Sequence, residues 1–240
     1  MTVKDVAERA LDCLFPPRCM ICLDLIPLNA PERLCPECDD LLEMIKSPCA
    51  RCGAPSEAAL CAECSGRPAR DGLDGNRALF VYDEPVKKMI HNFKYGSRPE
   101  IARGLGHYVK DGGFGDYFSS ADYLTFVPLH RNRAMRRGYN QAELIAREIS
   151  SVTGVPVINA LARKKDTAPQ AGLDYFSRLN NLRGAFAAAD RGAASKKFII
   201  VDDIYTTGAT LNACAEALKS RGAAGVKGFT AAVAIAGKKI

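Results

Sequence analysis

Residues 199–211 read IIVDDIYTTGATL. Ile199, Ile200 and Val201 continue the apolar run KKFIIVD of residues 196–202. A continuous run of this kind marks a strand buried on both faces, as in a parallel sheet. Asp202 and Asp203 close the run, a turn carrying Thr206, Thr207, Gly208, Ala209 and Thr210 follows, and the helical stretch TLNACAEALKSRGA occupies 210–223. Strand, turn and helix in that order put the acids and the turn at the carboxyl end of a strand. That is where open α/β sheets hold their ligands.

The turn is built for an anion. Gly208 lets it close tightly with backbone N–H groups pointing outward, the helix start adds the positive end of its dipole, and three threonine hydroxyls add donors. It has neither the lysine of a GxxxxGKS loop nor the glycine spacing of a dinucleotide fingerprint. The carboxylates repel a phosphate, so their natural partners are adjacent hydroxyls, which donate well to an ionised acceptor. A ligand with a phosphate at one end and a vicinal diol beside it is ribose 5-phosphate.

Outward from this stretch, strands and helices alternate. NRALFVYDE (76–84) reads as a strand, PVKKMIHNF (85–93) as a helix opened by proline, and EIARGLGHYV (100–109) as a second helix. YLTFVPL (123–129) is a strand, and NQAELIAREISSVTG (140–154) a helix with Asn140 and Glu143 placed for a capping box. A short strand is expected over 155–161 and a last one over VKGFTAAVAI (226–235). The alternation predicts an α/β fold, a doubly wound, mainly parallel sheet. HRNRAMRRGYNQ (130–141) reads as a loop at the ligand rim, concentrating Arg131, Arg133, Arg136 and Arg137, with Tyr139 available for stacking on a base. Residues 163–176, RKKDTAPQAGLDYF, have no period and read as a lid or a disordered loop.

The first third of the chain is different. Eight of ten cysteines form four Cys-x-x-Cys pairs: Cys19/Cys22, Cys35/Cys38, Cys49/Cys52 and Cys61/Cys64. Such turns offer two sulfurs to one ion, and two turns complete a tetrahedron with arms of about 2.3 Å, so the pairs predict two structural zinc sites of four cysteines each. Gly53 fits a knuckle that needs positive φ. Sequential and interleaved pairing both satisfy the spacing. Cys13 and Cys214 sit in apolar helical stretches as buried thiols.

Residues 1–70 carry eight basic and eleven acidic side chains, a net of −3, which leaves +9 for residues 71–240 against an overall +6. The larger part therefore favours phosphate-bearing ligands. Eight thiolates with two dications bring the whole chain to about +2. No apolar run approaches the roughly 20 residues of a membrane span. The first residues, MTVKDVAERALDCLFPP, mix both charges without a signal-peptide core, so a cytoplasmic protein is expected. The expected organisation is an N-terminal helix (1–15), a double zinc ribbon (16–70) and an α/β domain (71–240).

VDDIYTTGAT resembles the signature of type I phosphoribosyltransferases, whose donor is 5-phosphoribosyl 1-pyrophosphate (PRPP) with Mg²⁺. The whole series of cysteine pairs, HNFKYGSR, VPLHRNRAMRRGYNQ and this signature is similar to the ComF family of competence proteins. The resemblance implies a double zinc ribbon joined to a phosphoribosyltransferase-like domain of the type I kind, and a link to uptake of single-stranded DNA in natural transformation. It implies that Asp202 and Asp203 meet the ribose hydroxyls and that residues 206–210 wrap the 5′-phosphate. The four arginines would meet pyrophosphate or nucleic acid, and Thr167 and Gln170 the donor under a closed lid. Single-stranded DNA and DNA-uptake proteins are the implied partners. Two functional classes stay open on sequence: a transferase of undetermined acceptor, and a non-catalytic protein that handles DNA or senses PRPP. Oligomeric state is undetermined.

Overall fold

The computed structural model describes residues 16–28, 30, 33–68, 72–165, 182, 184–189 and 193–235. In chain order its elements are α1 (Pro36–Asp39), α2 (Ala62–Ser65), β1 (Asn76–Val81), α3 (Glu84–Tyr95), α4 (Ile101–Asp111), α5 (Gly115–Ser119), β2 (Tyr123–Phe126), α6 (Arg131–Arg137), α7 (Gln141–Thr153), β3 (Leu161–Arg163), β4 (Phe186–Ala188), β5 (Lys197–Tyr205), α8 (Ala209–Lys219) and β6 (Gly225–Val233). The expected helix over 1–15, Cys13, and the expected lid beyond residue 165 with Thr167 and Gln170 lie outside the described residues.

The continuous apolar run of β5 is explained by its position. It pairs with β2 on one side and β6 on the other, in the all-parallel order β1-β6-β5-β2. Ile199 and Val201 pack toward α3, α4 and α7, whereas Phe198 and Ile200 pack toward α8. All four are fully buried. Both faces are therefore apolar, which gives an uninterrupted run rather than alternation. Phe229 of β6 is met edge-on by Phe114 at 5.4 Å and at a tilt by Phe118 at 5.0 Å. Such ring pairs add about 0.5–1.5 kcal/mol each beyond their buried area.

Neither edge of the sheet is open. Along β1, the Ile45 amide donates to the Leu79 carbonyl at 2.9 Å and Met44 bridges Phe80 in antiparallel sense. Along β2, Leu124 donates to Pro156 and accepts from Ile158, both at 2.9 Å. This single parallel bridge at Val157 is what the strand expected over 155–161 amounts to. β3 begins only at Leu161 and pairs with β4, antiparallel.

Three further expectations are corrected. The arginine loop is a helix, α6, capped by the His130 side chain and ended at Gly138. It escapes a search for apolar period because none of its residues is buried. β5 runs on to Tyr205, so the paired acids lie inside the last stretch of its ladder, with Asp202 opposite Thr230. Asn140 caps α7 by accepting from Ala142, but Glu143 pairs with Arg147 in place of closing a capping box.

The cysteines settle into sequential sets. Cys19, Cys22, Cys35 and Cys38 gather in one cluster and Cys49, Cys52, Cys61 and Cys64 in another, the sulfurs of each within 4.8 Å of one another. The 3.7 Å separations Cys22–Cys35 and Cys52–Cys61 match the edge of a tetrahedron with zinc–sulfur arms, about 3.8 Å. Amides of Ile21, Ala54 and Cys61 point at cysteine sulfurs at 3.3–3.4 Å, as thiolate ligands require. The donor sets fit two structural zinc ions. The first set is continuous with the main core: Cys19, Met20, Ile21 and Cys38 share a cluster with α3 and α4. Asn92 donates to the Met20 and Ile21 carbonyls, and Tyr108 to Asp39.

Candidate functional site

A crevice of about 290 Å³ opens across the carboxyl ends of β2 and β5. Asp202 and Asp203 line it from β5, Thr206 and Thr210 from the turn and first residues of α8, and Arg133 and Arg137 from α6. Lys94, at the end of α3, reaches in from the far side and sets its ammonium 2.5 Å from an Asp203 oxygen. Asn140 and Gln141 at the start of α7 and Arg163 at the end of β3 complete the walls.

The lining groups are held by side chains or carbonyls behind them. Arg137 donates to Gln141 Oε1 at 3.2 Å and lies 5.2 Å over the Tyr95 ring. Gln141 is buried and donates in turn to the Phe93 carbonyl. Asn140 donates to the Val127 carbonyl, tying α7 to the segment after β2. Arg163 stacks 5.3 Å over Phe186. Tyr139 does not face the crevice; it packs on Phe93 and donates inward to the Phe93 carbonyl at 2.6 Å, which removes it as a stacking platform.

The two carboxylates are not equivalent. Asp202 is ringed by protein, and burial first, then the charge of Asp203, pushes its carboxyl up to about 8. The Asp203 amide and Lys94 pull it back only in part. For Lys94, burial acts to lower the ammonium, yet Asp203 and Asp202 outweigh it and hold the group above its ordinary value. The crevice thus stores a repulsive acid pair that one lysine only partly relieves, and a ligand supplying donors or a cation lowers its energy.

Gly208 adopts φ +74°, the left-handed region, and a Cβ there would fall 2.3 Å from the Tyr205 hydroxyl. Glycine is therefore required twice over, by backbone and by space. Thr207 turns away from the acids and accepts from the Ala209 amide at 3.4 Å. Ala209 is buried beneath the turn. Arg131 and Arg136 stand exposed on α6 and do not line the crevice. Of the arginines singled out by sequence, the fold brings Arg133 and Arg137 to the acids. Asn140, Gln141 and Arg163 are lining residues that sequence patterns leave unmarked in this role, whereas the helix break at KYGSRPE marks Lys94 and Tyr95 for a positioning role, and Lys94 lines the crevice.

An acid pair and a glycine-hinged threonine turn on a doubly wound sheet, carried beside two four-cysteine metal sites, define a class. Residues 10–66 match the double zinc ribbon domain, and residues 135–239 match the phosphoribosyl transferase domain. The chain is 29% identical over 214 residues to Competence protein F of Haemophilus influenzae, covering 85% of this chain and 92% of that one. It is 30% identical over 217 residues to Competence protein ComFC of Bacillus subtilis, 86% of each chain. With DNA utilization protein YhgH of Escherichia coli it shares 30% over 207 residues, 81% of this chain and 87% of that one. The chain belongs to the ComF family. Among the described residues no helix is long and apolar enough to cross a membrane.

Proposed function

We propose that the crevice binds PRPP and that the chain is a phosphoribosyltransferase-type protein acting in DNA uptake or utilization in the cytoplasm. The observation that carries this reading is the strained acid pair beside an anion turn. Asp202 and Asp203 receive the ribose 2′- and 3′-hydroxyls, whose donors relieve the pair. Thr206, Thr207, Gly208, Ala209 and Thr210 take the 5′-phosphate at the start of α8, with Gly208 giving the phosphate close access. Arg133 and Arg137 take the pyrophosphate, and Lys94 is free to swing toward it once the diol replaces it on Asp203. Arg131 and Arg136, outward on α6, fit a phosphate backbone better than the pyrophosphate. When bound with the donor, Mg²⁺ supplies charge neutralisation of the departing pyrophosphate. The names of the relatives, competence and DNA utilization proteins, support the cellular setting.

The test is calorimetry with PRPP and Mg²⁺. Wild type binds, and Asp202→Asn/Asp203→Asn loses binding by at least a hundredfold; equal affinity in the double variant sinks the assignment. Pyrophosphate release with a panel of bases and oligonucleotides then separates transfer from sensing.

A further inference from the structure

Asn212, one turn into α8, is only 5% exposed, and both ends of its amide are engaged. Its Nδ2 donates to the Gly208 carbonyl at 2.8 Å, the same oxygen that its own backbone N–H reaches at 2.9 Å. Its Oδ1 accepts from the Leu73 amide at 3.2 Å, in the segment that leads into β1. That segment lies close, since a Cβ on Gly72 would fall 2.8 Å from the Asn212 carbonyl. A helix needs one donor on the Gly208 oxygen, and here there are two. The residue type is restrictive: asparagine accepts with one atom and donates with the other, whereas leucine does neither and an ionised aspartate only accepts.

The peptide plane carries this bond to the ligand turn. A trans peptide sets its C=O and N–H in opposite directions. Two donors draw the Gly208 carbonyl into α8, so the Ala209 amide in the same plane points back out of the helix start. There it meets the Thr207 hydroxyl at a long 3.4 Å, a bond that a charged oxygen replaces with a stronger one. Arg133 and Arg137 enter the crevice separately, from α6.

We propose that Asn212 is a positioning residue of the ligand site: it aims the Ala209 amide at the donor's 5′-phosphate and braces that aim against the segment before β1. The inference rests on the reading of the crevice as a PRPP site. Because the arginines stand on another element, a change at residue 212 reaches the 5′-phosphate half of the site and spares the pyrophosphate half.

The test compares Asn212→Thr with Asn212→Val. The two replacements have the same shape, but a threonine hydroxyl in a helix donates to the carbonyl four residues back, here that of Gly208, and valine has no donor. Calorimetry on zinc-loaded full-length protein with ribose 5-phosphate should find Asn212→Thr within about threefold of wild type and Asn212→Val weaker by about tenfold or more. Affinity for magnesium pyrophosphate should agree within about twofold in all three proteins. Equal ribose 5-phosphate affinity in the two variants overturns the proposal. So does an equal loss for both ligands in Asn212→Val, the mark of general loosening. Amide exchange by NMR without ligand is read alongside, and Ala209 and Thr210 should exchange faster in Asn212→Val than in Asn212→Thr. If wild type binds no ribose 5-phosphate, the PRPP reading falls, and this exchange alone upholds or overturns Asn212 as the brace of the turn. If Asn212→Val does not fold, wild type decides: saturating ribose 5-phosphate should move the Ala209 amide proton downfield, and an unmoved proton overturns the assignment.

Discussion

The two ribbons hold the same four sulfurs in paired Cys-x-x-Cys turns, yet they serve different parts of the molecule. In the first, Cys19, Met20 and Cys38 belong to the core beneath α3 and α4. In the second, Cys49, Cys52 and Cys64 share a buried cluster with Leu211 and Cys214 of α8, and the ribbon also borders Tyr205, Thr206 and Thr207. Asn76 donates to the Cys52 carbonyl, and Arg51 bridges the carbonyls of Cys64 and Arg67. Leu73, just past this ribbon, donates to Asn212, whose amide in turn donates to the Gly208 carbonyl. Both metal sites therefore belong to the body of the fold, one beneath α3 and α4 and the other beside α8, and only the second also borders the turn after β5. Metal sites with no open position can differ in what they support, and the difference is read in their neighbours.

The largest way to break this comparison is to remove one metal at a time. Cys19→Ser/Cys38→Ser should lose one zinc and destabilise the whole chain, because structural zinc supplies about 10 kcal/mol of folding energy in small modules and this one is welded to the core. Cys49→Ser/Cys64→Ser should lose the other zinc with a comparable drop in melting temperature and, in addition, a clear loss of PRPP affinity. Equal losses of PRPP affinity from both pairs, by calorimetry and metal analysis, would refute the added role of the second site. Next in size is Gly208→Ala, which forces Cβ into Tyr205 and should cost about 2–4 kcal/mol, measured by urea unfolding. If the second ribbon is tied to the turn, this variant also releases zinc faster to a chelator.

The knuckles sharpen the contrast at smaller scale. Gly53 has φ +82° and Leu23, at the matching place in the first ribbon, has φ +70°. A Cβ on Gly53 would press on the Asn76 carbonyl and the Ala78 amide at 3.1 Å. Gly53→Ala should therefore cost roughly 1–2 kcal/mol. Leu23→Gly should change stability by only about 0.5 kcal/mol, in the stabilising direction, since relief of the left-handed strain offsets glycine's added chain entropy. A loss on Leu23→Gly like that of Gly53→Ala would show that Leu23's partial burial outweighs its backbone.

The rim has its own pH signature. Because the folded state holds the Asp202 proton more tightly than the unfolded chain does, Asp202 favours the fold at acid pH. That contribution is lost as pH rises from the ordinary carboxylate range through about 8. Asp202→Asn is spared the loss, so its stability relative to wild type should grow by roughly 1–2 kcal/mol between about pH 5 and 8.5, allowing for water in the crevice. A flat difference would mean the carboxyl is not perturbed.

What the sequence reveals here follows from the range of the signal. The run FIIVDD and the turn TTGAT are local, so β5, the acids and the turn that follows them can be read from one short stretch. The cysteine spacing is equally local, but the choice of sequential over interleaved pairing depends on how turns meet in space, and spacing is silent on that. Arg133 and Arg137 stand out because charge clusters, but which arginines face inward depends on α6, a helix without an apolar stripe. Lys94 is marked in sequence only by a helix break, and its partner is out of reach for a different reason. Its role comes from Asp203, far away along the chain, and only the packing of α3 beside β5 joins them.

The bond from Ile45 to Leu79 carries one more implication. An all-parallel sheet normally ends in a strand whose outer amides and carbonyls must be shielded, and here the shield is a segment between two metal-held knuckles. Zinc starvation would thus do more than loosen a small module: it would bare a strand able to recruit another molecule, turning a nutritional shortage into a solubility problem.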